Sequence, residues 1–469
     1  MVSGGSSLLV IGITLVVFVV VGVCAHRRGA DVEDYIVARN SQNALTLGLS
    51  FLAAGMGAWV LFAPPEVGAT VGAVAVGGYA VGSAAPLAVF GLLGPRVRRV
   101  VPAGHSFAEF LGLRFGRAFH AYVVGVSILY MLFFVMAELT AIGAVMGLLT
   151  SSDPRITVVA VAVATLAYTT YGGLRASLRT DRFQAWILLG LLALSCVAML
   201  TLAPDAQPSA AAGATAPRPS GWPVALTLII AVTAANMFHQ GYWQRVWAAR
   251  DDRALGRGVI LGVLTTVPVV AVLGYLGIAA TARGVALGNP PVPFFALLVG
   301  SPTWLGVVVL ILALALVASS VDTLESGLAS LVTAERPTTT LPQARGVTVA
   351  LMVPAVIVAL RGYSVLQLFL IADLLCAATV VPALLSLWSR ATSTAALTGA
   401  AAGLLGACAA AALTDAGLAS VTFPGGVPSL PPFAGALITS TAVSVIVSLA
   451  SRRVTDIEAL GAAVPALRG

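Results

Sequence analysis

Ala53-Ala54-Gly55-Met56-Gly57-Ala58-Trp59 lies inside an otherwise apolar run at 44–63, and the chain then meets Pro64-Pro65. Two glycines one residue apart weaken helix propagation, so this run predicts a helix broken partway along. The competing reading is close packing on small residues, common between membrane helices. A second apolar run, at 223–241, leads into Ala234-Ala235-Asn236-Met237-Phe238-His239-Gln240-Gly241-Tyr242-Trp243-Gln244-Arg245. It crowds amides, an imidazole and a glycine into a few residues, although an interfacial aromatic and basic anchor draws on the same types. The two interruptions stand five helices apart. Matching interruptions in two halves of a membrane bundle point to a transporter site, because an unwound turn frees carbonyls that can hold a bare cation.

Outward from these two, runs of the roughly 20 apolar residues needed to cross a bilayer occur at 8–25, 70–94, 118–149, 156–171, 183–203, 258–281, 303–333, 346–360, 364–388, 393–413 and 430–450. Thirteen spans result, and backbone groups in lipid must be satisfied internally, so they are helices. Composition agrees. The chain is 59% hydrophobic and 9% charged, with a mean hydropathy of +1.00, whereas soluble domains carry about 25% charged residues. The expected fold is an all-α polytopic membrane protein, one transmembrane domain over 1–469.

All basic residues are arginine. With the N-terminus outside, only Arg155, Arg218, Arg283 and Arg361 of the 25 fall in outer loops. That bias predicts a multi-pass cell-membrane protein with its C-terminus in the cytoplasm. Scattered in short loops, these arginines do not make a nucleic-acid surface. The run at 8–25 has no basic residue before it and reads as a retained span, not a signal peptide. Cys24, Cys196, Cys376 and Cys408 sit in apolar runs and read as small core residues. Pro204–Pro223 reads as a flexible outer loop joining two halves. No phosphate loop or His/Cys metal cluster suggests an enzyme or a cofactor, and no filter-like repeat suggests a channel, although a passive solute channel is the alternative class.

Within Ala315-Leu316-Val317-Ala318-Ser319-Ser320-Val321-Asp322-Thr323-Leu324-Glu325-Ser326, adjacent hydroxyls facing a broken helix supply oxygen ligands for Na⁺; alternatively, they bond back to the preceding turn. Glu138, Asp322, Glu325 and Asp373 are acids within or near apolar spans. Such groups face protein or water. Asp322 and Glu325 suit an inner vestibule. Glu138 and Asp373 lie deeper and can serve a solute donor, a proton or a structural hydrogen bond.

At this point the chain resembles the sodium:solute symporter family over roughly 8–450. The resemblance is carried by Asp34-Tyr35-Ile36-Val37-Ala38-Arg39-Asn40; by Phe107-Ala108-Glu109-Phe110-Leu111 with Arg114-Phe115-Gly116; by Tyr171-Gly172-Gly173-Leu174-Arg175-Ala176 followed by Thr180-Asp181-Arg182-Phe183-Gln184; by Gln244-Arg245 with Ala248-Ala249-Arg250-Asp251; and by Ser319-Ser320-Val321-Asp322-Thr323. It implies a five-plus-five inverted-repeat, LeuT-like core. The repeats would be 44–203 and 223–388, with one helix before (8–25) and two after (393–450), and transport by alternating access. It implies a Na⁺ site from the carbonyls of Ala53, Met56 and Leu316 and the hydroxyls of Ser319 and Ser320, with Leu316 where Ala is usual. Asp181 matches a residue implicated in cation coupling; an ion pair with Arg179 or Arg182 is the other reading.

The implied partners are Na⁺ as coupling ion, a small polar solute and the bilayer. Ala235 stands where sugar-transporting relatives have an aromatic gate, and His239-Gln240-Gly241-Tyr242 departs from the Gly-Gln-Pro-His of proline-transporting ones. The run Gln240–Gln244 resembles the urea-transporting branch, so urea is the first expectation. Trp59, Glu138, Asn236, Gln240 and Tyr242 are the candidate solute contacts. Other amides, small amino acids, monocarboxylates and proton coupling through Glu138 or Asp181 are alternatives. A carboxylate solute would want a deep cation, and none is expected from the sequence.

Overall fold

The computed structural model describes residues 3–24, 37–202, 220–288, 291–335, 341–414, 417–423 and 426–463. Of the motifs above, Asp34-Tyr35-Ile36 lies outside the described residues, as do the side chains of Tyr171–Ala176, Arg179, Thr180, Arg182 and Phe183, and 204–219 of the proline-rich stretch.

Helices account for nearly all of it. In order they are α1 (Gly4–Cys24), α2 (Ala44–Gly55), α3 (Ala63–Thr70), α4 (Ala73–Val100), α5 (Phe107–Phe115), α6 (Arg117–Leu149), α7 (Pro154–Leu202) and α8 (Gly221–Asn236). Then come α9 (Gln240–Ala248), α10 (Asp252–Ala282), the single turn α11 (Pro293–Ala296), α12 (Thr303–Glu335), α13 (Leu341–Ala359), α14 (Val365–Leu384), α15 (Ser393–Ala412) and α16 (Leu430–Ala450). Among the described residues, eight helices are long and apolar enough to cross a membrane. Two further crossings are bent pairs: Ala44–Gly55 with Ala58–Thr70, at 63°, and Gly221–Asn236 with Gln240–Ala248, at 61°. Both predicted breaks are therefore present.

Local chemistry sets the ends. Asn43 accepts from the Thr46 amide to start α2, and Asp251 does the same for α10 through Ala254, each satisfying one of the four amides a helix start leaves free. α12 is the most enclosed long helix, with 72% of its apolar stretch buried, against 22% in α1 and 28% in α16. α12 is thus the axis of the bundle and α1 and α16 its periphery. Leu9, Ile13, Val16 and Val20 of α1 are each more than half exposed, a surface suited to lipid.

The expected spans 156–171 and 183–203 are not separated by a loop: both lie on α7, 49 residues without a break. The linking segment contains no proline, and apart from Gly172-Gly173 its residues sustain a helix. Straight, it would run roughly 74 Å, far beyond a hydrocarbon core of about 30 Å. It is not straight. Tyr168 and Ser177 both donate to the carboxylate of Asp322, each at 3.0 Å, yet residues nine apart point to roughly opposite sides of a straight helix. α7 wraps around α12 at that point.

Candidate functional site

The two breaks meet. A β-carbon at Gly55 would lie 2.2 Å from the Tyr242 hydroxyl, so glycine there lets the second broken helix touch the end of the first. Around this contact is a cavity of about 50 Å³ lined by Gly55, Met56 and Trp59 from the first broken span and by Ala235, Asn236 and Tyr242 from the second. Its remaining walls are aromatic and aliphatic in equal measure, with Ser83, Thr266 and Asp373 as polar members. Trp59 stacks on Tyr79 at 5.6 Å and meets Phe369 edge-on at 6.2 Å; Phe134 meets Phe369 at 4.9 Å. The indole N–H of Trp59 donates to the Gly55 carbonyl at 3.1 Å, which fixes the ring over the break.

One side chain in this wall is anomalous. Asp373, on α14, lines the cavity, is 5% exposed, and has no hydrogen-bond or ion-pair partner among the described residues. Among the described residues no basic one lines the cavity. Ser83 adds a buried hydroxyl without a partner among the described residues. A carboxylate withdrawn from water without compensation costs several kcal/mol, and a cavity that keeps one is shaped for a donor or a cation.

Glu138 is also fully buried but does a different job. It accepts from the Ala58 amide at 2.7 Å, and a β-carbon at Gly57 would fall 1.8 Å from its Oε1. The carboxylate lies against the glycine and caps the restarted segment from Ala58, as an acid does at a helix N-terminus. In an unbroken helix the Ala58 amide would bond to Ala54 and the Val60 amide to Met56; here the first goes to Glu138 and the second to Gly57. The break thus releases carbonyls on the α2 side while its amides are taken.

A polar network joins α2, α7, α9 and α12. Asp181 accepts from Ser50 at 2.6 Å, Arg245 at 2.6 Å and Ser319 at 3.1 Å, and Arg245 also donates to Ser50, Thr323 and the Gly241 carbonyl. Both ion-pair partners are fully buried. This corrects two expectations. Arg245 is not a loop residue but a deep cation, because the polar end of α9 turns inward where Asp181 neutralises it. Among the described residues Asp181 pairs with Arg245; the side chains of Arg179 and Arg182 lie outside them. Asp322 accepts from Tyr168 and Ser177, and Glu325 from Thr165.

The sequence-predicted residues divide accordingly. Met56, Trp59, Asn236 and Tyr242 line the cavity. Ala53, Leu316, Ser319 and Ser320 do not line it but are buried on α2 and α12. Ser319 is joined to α2 through Asp181 and Ser50, one turn before Ala53. Ser320 carries a buried hydroxyl with no partner among the described residues. Glu138 and Gln240 do not line the cavity. Gln240 donates to the His105 carbonyl and to Ser330, within a seal where Trp243 stacks on Phe107 at 4.4 Å. Sequence reasoning missed Tyr79, Tyr130 and Phe369, and it named Asp373 as an acid able to serve a solute donor without placing it among the candidate solute contacts. Aromatics deep in a span, away from the interfaces they usually occupy, were the available signal.

The sequence matches the family described as "Sodium:solute symporter family" over residues 35–403. It is 29% identical over 362 residues to a Candida albicans protein named spermidine transporter DUR31, covering 76% of this chain and 70% of that one. Among solved structures, a Na⁺-coupled sialic acid symporter in a substrate-bound outward-open state is similar with a TM-score of 0.75 at 15% identity, over 96% of this chain and 98% of that one. Mhp1, a nucleobase-cation-symport-1 family transporter, is similar in its inward-facing form with a TM-score of 0.61 at 17% identity, over 95% and 99% of the two chains. At such identities these likenesses show the fold, the LeuT-like helical bundle.

Proposed function

Since the chain belongs to the sodium:solute symporter family, we propose that this multi-pass membrane transporter couples Na⁺ entry to uptake of a small organic cation, a protonated amine. The observation that carries this reading is Asp373, a buried carboxylate without a partner among the described residues, in a cavity walled in part by aromatic rings and lined by no described base. Aromatic faces attract cations, and more so where water is excluded. By volume the cavity has room for roughly three to five waters, enough for an ammonium head group with a short apolar neck. The likeness to a spermidine transporter supports the same class. Urea is the second reading: the resemblance of Gln240–Gln244 favours it, and it would use Ser83 and Asn236 without needing a charge.

For Na⁺ we assign Ala53, Met56 and Leu316 as carbonyl ligands and Ser319 and Ser320 as hydroxyl ligands. The unpartnered Ser320 hydroxyl and the released carbonyl of Met56 support the assignment. Ser319 donates to Asp181 and keeps its lone pairs, so Asp181 ties Na⁺ binding to the buried pair with Arg245. In this reading 44–203 and 223–388 are the inverted repeats, and the arginine-poor face is outside. A cavity of about 570 Å³ opens on that face beside Arg155 and Arg361, while the arginine-rich side is sealed by Gln240, Trp243 and Phe107. A 100 mV potential then supplies about 2.3 kcal/mol for each charge carried inward, amine included.

The test is uptake of radiolabelled butylamine and of urea into proteoliposomes under an imposed Na⁺ gradient, with wild type and Asp373→Asn. Na⁺-driven amine uptake that the substitution removes is expected. Urea uptake that the substitution leaves intact, with no amine uptake, would replace this reading with the second.

A further inference from the structure

We propose that Glu66 forms a second ammonium subsite in the larger cavity, so that the transporter selects diamines and longer polyamines over monoamines. This rests on the reading of Asp373 as the first ammonium acceptor. Trp59, Phe62 and Glu66 follow one another along the restarted first span, Trp59 in its opening 3₁₀ turn, Phe62 at the junction and Glu66 in α3. Trp59 lines the central cavity, while Phe62 and Glu66 line the larger one. α14 repeats the arrangement. Ser364 and Val365, at its start, line the larger cavity, and Phe369 and Asp373, deeper, line the central one. Two walls thus lead from one cavity toward the other, each over roughly 10–14 Å at about 1.5–2 Å per residue.

Tyr79 links the two ends. It is stacked on Trp59 and lies within electrostatic range of both Asp373 and Glu66. Glu66 is partly buried, and its carboxylate has no hydrogen bond or ion pair among the described residues; its backbone amide donates to the Phe62 carbonyl and its own carbonyl accepts from Thr70. The other charged groups of that cavity, Asp153, Arg155 and Arg361, are exposed at the rim, where salt screens them over about 8–10 Å. Glu66 is therefore the deepest charge there. A monoamine on Asp373 leaves it uncompensated. A second ammonium satisfies it, and the methylenes between the two lie along the Trp59, Tyr79 and Phe62 rings.

The experiment compares 1,4-diaminobutane with butylamine, in full-length protein reconstituted in proteoliposomes under a Na⁺ gradient. Wild type should show the lower KM for the diamine. Glu66→Gln should raise the diamine KM roughly fivefold and leave the butylamine KM and maximal rate unchanged, so butylamine uptake also reports correct folding. Glu66→Asp should keep the preference. A Glu66→Gln protein with an unchanged diamine KM, or with both amines weakened alike, overturns the subsite and leaves the Asp373 reading standing. Failure of wild type to carry either amine, or full amine transport by Asp373→Asn, overturns the Asp373 reading, and the subsite with it.

Discussion

Asp181 and Asp373 are the same residue type, both buried, and they are treated in opposite ways. Asp181 is held by two hydroxyls and a guanidinium, all buried, and every donor around it comes from the chain. Asp373 has aromatic neighbours and no donor among the described residues. A buried charge is tolerated when paired and hydrogen-bonded, and is otherwise costly. The first region is consequently a closed polar joint between α2, α7, α9 and α12, and the second is a site that a ligand completes. Glu138 stands between the two cases: one of its oxygens accepts from the Ala58 amide exposed by the first break, and the other is buried with no hydrogen-bond partner among the described residues.

Substitutions sharpen the difference, and their effects differ in kind as well as size. Asp181→Asn leaves Arg245 buried without its counter-charge and should destabilise the protein by about 3–5 kcal/mol, read as a lower Tm of the detergent-solubilised protein. Asp373→Asn should do the reverse to stability, raising Tm slightly, while weakening amine transport by about 2–4 kcal/mol in kcat/KM. A Tm drop in both variants would erase the distinction. Ser320→Ala removes an unpartnered hydroxyl, so Tm should hold while the Na⁺ concentration for half-maximal uptake rises roughly tenfold; an unchanged Na⁺ requirement removes Ser320 from the cation site. Trp59→Leu keeps apolar bulk but not the ring face, and should raise the amine KM by the equivalent of about 0.5–1 kcal/mol.

Much of the fold was legible because it rests on short-range rules. Gly55 and Gly57 marked one break, the His239–Gln244 cluster the other, and apolar runs the helices. What was not legible depends on partners distant in the chain. Arg245 ends an apolar run and reads as an interface anchor; only Asp181, 64 positions away, and Ser50, 195 away, make it a core residue. Glu138 reads as a candidate solute ligand because its partner is a backbone amide 80 positions earlier, and backbone amides leave no trace in composition. The α7 segment reads as two spans because hydropathy falls between them, yet a helix needs only competent residues and a neighbour to wrap. Asp373 was visible as an acid in an apolar span, but its isolation appears only once the surrounding rings are in place.

The central claim is that Asp373 receives a positively charged solute, and the charge moved per solute tests it most directly. Current and radiolabelled butylamine flux measured together in proteoliposomes under a Na⁺ gradient should give more than one elementary charge per amine, because the solute's own charge adds to that of Na⁺. A ratio of one charge per molecule, with Asp373→Asn transporting as well as wild type, would contradict it.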